Sequence, residues 1–195
     1  MTTFTPILYQ LNQLPRRRRV KTPTVLQMEV AECGAAALTS ILEHHGRIVP
    51  LAEVRVSCGV SRNGSTARNI VRAAKQYGFK SRGYRRDINR LKAAPLPAII
   101  HWNFNHFVVF EGYDKDGMFL NDPAKGHRKV SHEEFDESYT GVAILFETDE
   151  HFVKGGKKPS FLGALATRLS GSYGTILYLL LTTLILTVLG LITPI

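Results

Sequence analysis

From Leu169 to Ile195 the chain carries no charged residue, whereas nearly everything before it is charged and amphipathic. A sequence that changes regime so sharply does not fold as one uniform globule. Tyr173 to Ile195 is 23 residues long, and a helix of about 20 apolar residues crosses a bilayer. A buried core helix is the alternative, but an uncharged run of this length at the end of the chain reads as a membrane span. Lys154, Lys157, Lys158 and Arg168 lie on its N-terminal side. By the positive-inside bias that side, with everything before it, is cytoplasmic. Pro194 near the end reads as a polypeptide meant to continue, so the span is expected to open a larger membrane domain that this chain truncates.

The residues ahead of the span are enough for one domain with a core. The chain's formal net charge is +9, and Arg16 to Arg19 form a run followed by Lys21, with no acidic residue before Glu29. Residues 1–21 therefore read as a basic N-terminal tail, either solvated or drawn to an anionic membrane face. Nucleic acid is not expected as a partner, because the chain has no aromatic-interleaved basic face and no zinc-knuckle spacing. Cys33 and Cys58 are the only cysteines and make no disulfide framework. The N-terminus has no apolar h-region, so no secretory signal is expected. A free thiol in the reducing cytosol follows.

Helical signals fill the first half. Cys33 to His45 is rich in alanine and leucine and stops at Gly46; a short helix follows from Pro50 to Ser57; a third starts after Asn63–Thr66, with Ser65 or Thr66 as cap, and ends near Tyr77 and Gly78. The period then changes. Strands are expected at Phe79–Tyr84, Pro97–Trp102, His106–Tyr113, Met118–Asn121 and Val142–Glu147, with a hairpin turn at Asp114–Gly117 and small helices at Ile88–Ala93 and Ser131–Ser138. Helices first and an antiparallel sheet afterwards make an α+β domain, with the helix bearing Cys33 packed on the sheet bearing His106. Phe161–Leu169 is expected to be a short amphipathic segment at the membrane surface.

Four residues stand out chemically. A helix N-terminus beside an imidazolium lowers a cysteine pKa from about 8.5 to about 3.5–7.5, and Cys33 opens a helix. Gln27, six residues earlier, can supply an oxyanion donor together with the Cys33 N–H. His106 heads a rigid strand, and Asp122, one hairpin later, can orient its ring. Each has a bland counterpart: a small core cysteine, a structural histidine, a turn Asp-Pro. Cys58 and His101 are weaker rivals, since no loop donor precedes Cys58 and His101 ends its strand. Asp114 and Asp116 read as solvated turn residues. His44 and His45 face different sides of a helix, and no zinc spacing occurs.

The stretches LQMEVAECGAAAL (residues 26–38), GVSRNGST (59–66), HFVVFEGY (106–113) and NDP (121–123) resemble the N-terminal peptidase domain of bacteriocin-processing ABC transporters, the double-glycine leader peptidases. The resemblance implies a papain-like cysteine peptidase domain over residues 22–148, a linker and amphipathic segment over 149–172, and a transmembrane helix over 173–195. It implies catalytic roles for Gln27, Cys33, His106 and Asp122, with no cofactor or metal. The substrate would be a ribosomally made precursor peptide, cut after a Gly-Gly or Gly-Ala pair at the cytoplasmic side of a bacterial inner membrane. The chain would work as a homodimer through the full transporter. ATP would enter only through a nucleotide-binding domain, since no phosphate-loop motif occurs here. The competing class is a peptidase-like module that only docks its cargo; such degenerate copies lack the nucleophile.

Overall fold

The computed structural model describes residues 18–157, 169 and 171–192. Residues 1–17 of the expected tail and nearly all of the expected amphipathic segment fall outside them. The chain divides into two units, before and after Lys157.

In the first unit, α1 spans Cys33–His44, and every residue from Cys33 to Leu42 is buried. A helix that is small or apolar all round belongs inside a core. Thr39 and Ser40 fit there because their hydroxyls donate to the carbonyls of Ala35 and Ala36, at 2.9 and 3.1 Å. Gly34 permits close approach, since a Cβ there would collide with Ser65 and Ile70. Helix α2 is Leu51–Ser57 and α3 is Ala67–Gln76. Thr66, not Ser65, caps α3, its hydroxyl accepting from the Asn69 N–H.

The sheet is antiparallel. Its strands are β1 (Arg18–Arg19), β2 (Phe79–Arg85), β3 (Ala98–Trp102), β4 (His106–Asp114), β5 (Gly117–Asp122), β6 (Gly126–Val130) and β7 (Tyr139–Thr148), in the order β2-β7-β3-β4-β5-β6. Successive strand residues point to opposite faces, and the cores follow that period. Ile99, Phe107, Val109, Ile144 and Phe146 pack under α1, α2 and α3. Ile100, Val108, Phe110, Leu120 and Ala143 pack in a second core with Leu91 of α4 (Ile88–Lys92) and Phe135 of α5 (His132–Ser138). Ser131 caps α5 as expected, accepting from the Glu134 N–H at 3.1 Å.

Three local expectations change. Arg18 and Arg19 are not a tail: they form β1, pairing with Tyr113 and Gly112 at the end of β4 that β3 leaves uncovered. Strand β6 is an additional element, half exposed and basic, paired along β5. Asp114 is not free in solvent, because Lys129 on β6 reaches its carboxylate at 2.8 Å.

In the second unit, α6 spans Tyr173–Ile192 and is long and apolar enough to cross a membrane, with a mean hydropathy of 2.1 over Tyr173–Leu191. The hydroxyls of Thr182, Thr183 and Thr187 donate to carbonyls one turn back, so these polar groups are satisfied within the helix, as hydrocarbon requires.

Candidate active site

The Cys33 thiol sits at the first turn of α1, where unpaired backbone N–H groups give the helix its positive end. A 3₁₀ turn, Val30–Glu32, leads into it. The Glu32 carboxylate is buried; it accepts the N–H groups of Met28 and Glu29 at 2.9 and 3.1 Å and pairs with Arg55 at 2.9 Å. Arg55 also reaches Glu29 at 3.2 Å. The segment between Gln27 and Cys33 is thus tied down by its own side chains. Gln27 donates its backbone N–H to the Pro123 carbonyl at 2.9 Å, which sets it beside the end of β5. Its carboxamide oxygen is buried and accepts no hydrogen bond.

His106 is the first residue of β4 and Asp122 the last of β5. The imidazole Nε2 lies 2.8 Å from Asp122 Oδ1. That carboxylate also accepts the Ala124 N–H at 2.9 Å, and its second oxygen is 3.4 Å from the guanidinium of Arg128 on β6. Arg128 in turn stacks over the Trp102 ring and pairs with Glu134. Asp122 is therefore held from three sides. With Nε2 engaged, the other ring nitrogen is left for the Cys33 thiol, whose ionisation His106 favours. The backbone N–H groups of Phe107 and Gly34 also favour the ionised sulfur.

The electrostatics follow from these contacts. Burial pushes the Cys33 thiol up, but His106 and the two backbone donors outweigh it and hold the thiol below its ordinary value. Burial opposes charge on His106, yet Asp122 and Cys33 together raise it to about 9. Burial likewise pushes the Asp122 carboxyl up, and the His106 and Ala124 hydrogen bonds pull it lower overall. The arrangement biases the pair toward thiolate and imidazolium, with a fixed carboxylate behind it.

A direct hydrogen bond thus joins His106 to Asp122, His106 acts electrostatically on Cys33, and the Gln27 backbone is tied to Pro123, next to Asp122. The rivals make different contacts. His101 is on β3, its Nδ1 3.0 Å from the Thr140 hydroxyl. Cys58 lies past the end of α2, fully buried, with its thiol pushed up to about 12. Among the described residues no group of His, Cys, Asp and Glu could hold a metal ion. Cavities of about 610 Å³ beside β2 and about 690 Å³ between α4 and α5 include none of the four residues. Sequence reasoning missed Glu32 and Arg128. The Glu29-x-x-Glu32 spacing is a cap signal; Arg128 leaves no local signal, since only the fold brings it to Asp122.

Comparison with known proteins gives a consistent picture. The profile of the peptidase C39 family matches residues 21–151. The colicin V secretion/processing ATP-binding protein CvaB of Escherichia coli is 36% identical over 134 residues, 69% of this chain and 19% of its own length. The chain thus spans about a fifth of that relative's length. A double glycine motif protease from an AMS/PCAT transporter, solved with its leader peptide, is 49% identical over 67% of this chain and 94% of its own, with a TM-score of 0.66. The peptidase domain of Streptococcus ComA, a bi-functional ABC transporter, is 28% identical over 65% of this chain and 97% of its own, with a TM-score of 0.61. The α+β, papain-like architecture expected from the sequence is the one these domains share.

Proposed function

The chain belongs to the peptidase C39 family, and from that premise we propose that it is a cysteine endopeptidase. Its substrate is a ribosomally made precursor peptide, cut after the Gly-Gly or Gly-Ala pair that ends the leader. The cut is coupled to export of the product by the transporter of which this chain is one part. The single observation that carries this reading is the 2.8 Å hydrogen bond of His106 to Asp122, with His106 in turn holding the Cys33 thiol below its ordinary value.

In the first step the Cys33 thiolate attacks the scissile carbonyl, forming the C–S bond. The developing oxyanion takes hydrogen bonds from the Cys33 N–H and the Gln27 carboxamide; half a turn of that carboxamide puts its NH₂ where the unpartnered oxygen now lies. The His106 imidazolium gives its proton to the leaving amine, which departs with the mature peptide. Neutral His106 then takes a proton from water, the hydroxide attacks the thioester, and the leader leaves as a carboxylic acid with the thiolate restored. Asp122 keeps the ring aligned throughout. A cysteine peptidase of this kind needs no cofactor. Two residues as small as glycine suit a cleft in which Cys33 is only 5% exposed.

The proposal extends to placement. α6 crosses the bilayer, and the peptidase unit lies on the cytoplasmic side, where its thiol stays reduced. The working domain runs from β1 to the end of β7, a little longer than residues 22–148. The test is cleavage of a synthetic precursor whose leader ends in Gly-Gly, followed by mass spectrometry. The wild-type chain should release leader and product at that bond, and Cys33→Ala should bind the precursor without cutting it. A wild-type chain that binds yet never cuts would overturn the peptidase reading and leave a cargo-docking module.

A further inference from the structure

Strand β4 is buried at every position from Phe107 to Tyr113, and one of those seven residues is a carboxylate, Glu111, with no exposed surface. The mechanism above does not use it. A carboxylate removed from water needs compensating partners, and its partners lie largely on one segment. Glu111 accepts the Thr22 N–H at 2.7 Å and the Thr22 hydroxyl at 2.9 Å, pairs with Arg19 at 3.2 Å, and lies 3.3 Å from His127 Nδ1. Asn121, also buried and adjacent to Asp122, donates to the Thr22 hydroxyl at 2.9 Å and to the Pro23 carbonyl at 3.0 Å.

The backbone is adapted to the same end. Phe110 faces Leu120 and Gly112 faces Phe119, so Glu111 is the extra residue of a β-bulge, a device that re-aims a side chain. At Gly112 any side chain would collide with the Arg18 carbonyl. Two sheet residues thereby grip a strap, residues 18–27, whose near end is β1 and whose far end is Gln27, bonded to Pro123.

We propose that Glu111, assisted by Asn121, is a positioning residue for Gln27. Only Pro23 to Leu26 separate Thr22 from Gln27, and proline fixes one backbone angle among them. An error at Thr22 is therefore passed to the oxyanion donor, and a displacement of about 1 Å at a reacting centre can slow a reaction up to about 10²-fold. Directional bonds to a carboxylate and a carboxamide set the register of the strap in a way that apolar packing does not. The inference rests on the peptidase reading of Gln27.

The test is a double-mutant cycle on the full chain, cutting a Gly-Gly precursor. Glu111→Gln should lower kcat about tenfold, leaving KM and the alkylation rate of Cys33 unchanged. In a Gln27→Ala background it should cause no further loss. Multiplicative losses would overturn the proposal, because Glu111 would then act elsewhere. Thr22→Val, which deletes one hydroxyl donor, should give a smaller loss with the same dependence on Gln27; it replaces Glu111→Gln if that variant does not fold. Hydrogen exchange gives an independent readout, distinguishing failure here from failure of the peptidase reading. The Gln27 N–H should exchange faster in Glu111→Gln while the α1 amides stay protected. Unchanged exchange at Gln27, or uniformly faster exchange throughout the domain, would overturn the proposal even if no precursor were cut.

Discussion

Cys33 and Cys58 lie in the same hydrophobic core, with 5% and 0% of their surface exposed, yet they are opposite kinds of sulfur. Cys33 begins a helix, faces an imidazole and two backbone donors, and is held below the ordinary thiol value. Cys58 follows the end of a helix, where carbonyls rather than N–H groups are left over. Burial alone acts on it, and its thiol rises to about 12. Burial pushes both in the same direction. The partners decide the sign, so reactivity here is a property of the neighbourhood rather than of depth.

The strongest way to break this contrast is to exchange each thiol for alanine. Cys33→Ala should reduce kcat/KM by about 10⁴-fold or more, as loss of a nucleophile does. Cys58→Ala should leave kcat/KM within about twofold, both measured on a Gly-Gly precursor. Alkylation probes the sulfurs directly. Near neutral pH iodoacetamide should modify Cys33 at least about a thousandfold faster than Cys58, because the thiolate is the nucleophile; peptide mapping by mass spectrometry reads both rates, and equal rates would end the contrast.

Asp122→Asn sharpens it further by removing the support of His106. Wild-type kcat/KM should fall on the alkaline side as His106 loses its proton near 9, and on the acid side as Cys33 gains one. The variant should lose about 10²-fold, and its alkaline limb should move down toward the ordinary histidine value of 6.5. The same raised pKa stabilises the fold. That contribution is complete below 6.5 and fades as pH rises through about 9. The smallest effect concerns stability. Cys58→Ser puts a hydroxyl in an apolar site and should cost about 1–3 kcal/mol in urea unfolding; Cys33→Ser, beside polar partners, should cost less.

Much of this arrangement was legible in local patterns. The alanine-rich run from Cys33, the stop at Gly46, the apolar strand from His106 and the cap at Ser131 each carry their own signal, and each element formed within a residue or two of its expected bounds. What escaped was what depends on partners. Gly126–Val130 has little β-branched character and becomes a strand because β5 offers a ladder. Arg18 and Arg19 look like solvated charge until the fold brings Ala94 to the one and Glu111 to the other. Glu111 itself was visible as the one acidic residue inside HFVVFEGY, though nothing local says that Thr22 receives it. The four candidate site residues were legible because their settings are local. Arg128, which steadies Asp122, was not, because only the sheet brings it there.

The strap has a practical consequence for anyone trimming this protein. The family likeness begins at residue 21, a natural place to start a shortened version. Such a cut removes Arg19, deprives the deepest carboxylate of a nearby cation, and bares the backbone of Gly112 and Tyr113 along an open strand edge. Exposed edges recruit other chains. A tidy boundary drawn from similarity alone would therefore yield material prone to clump, whereas starting a few residues earlier keeps the seam closed.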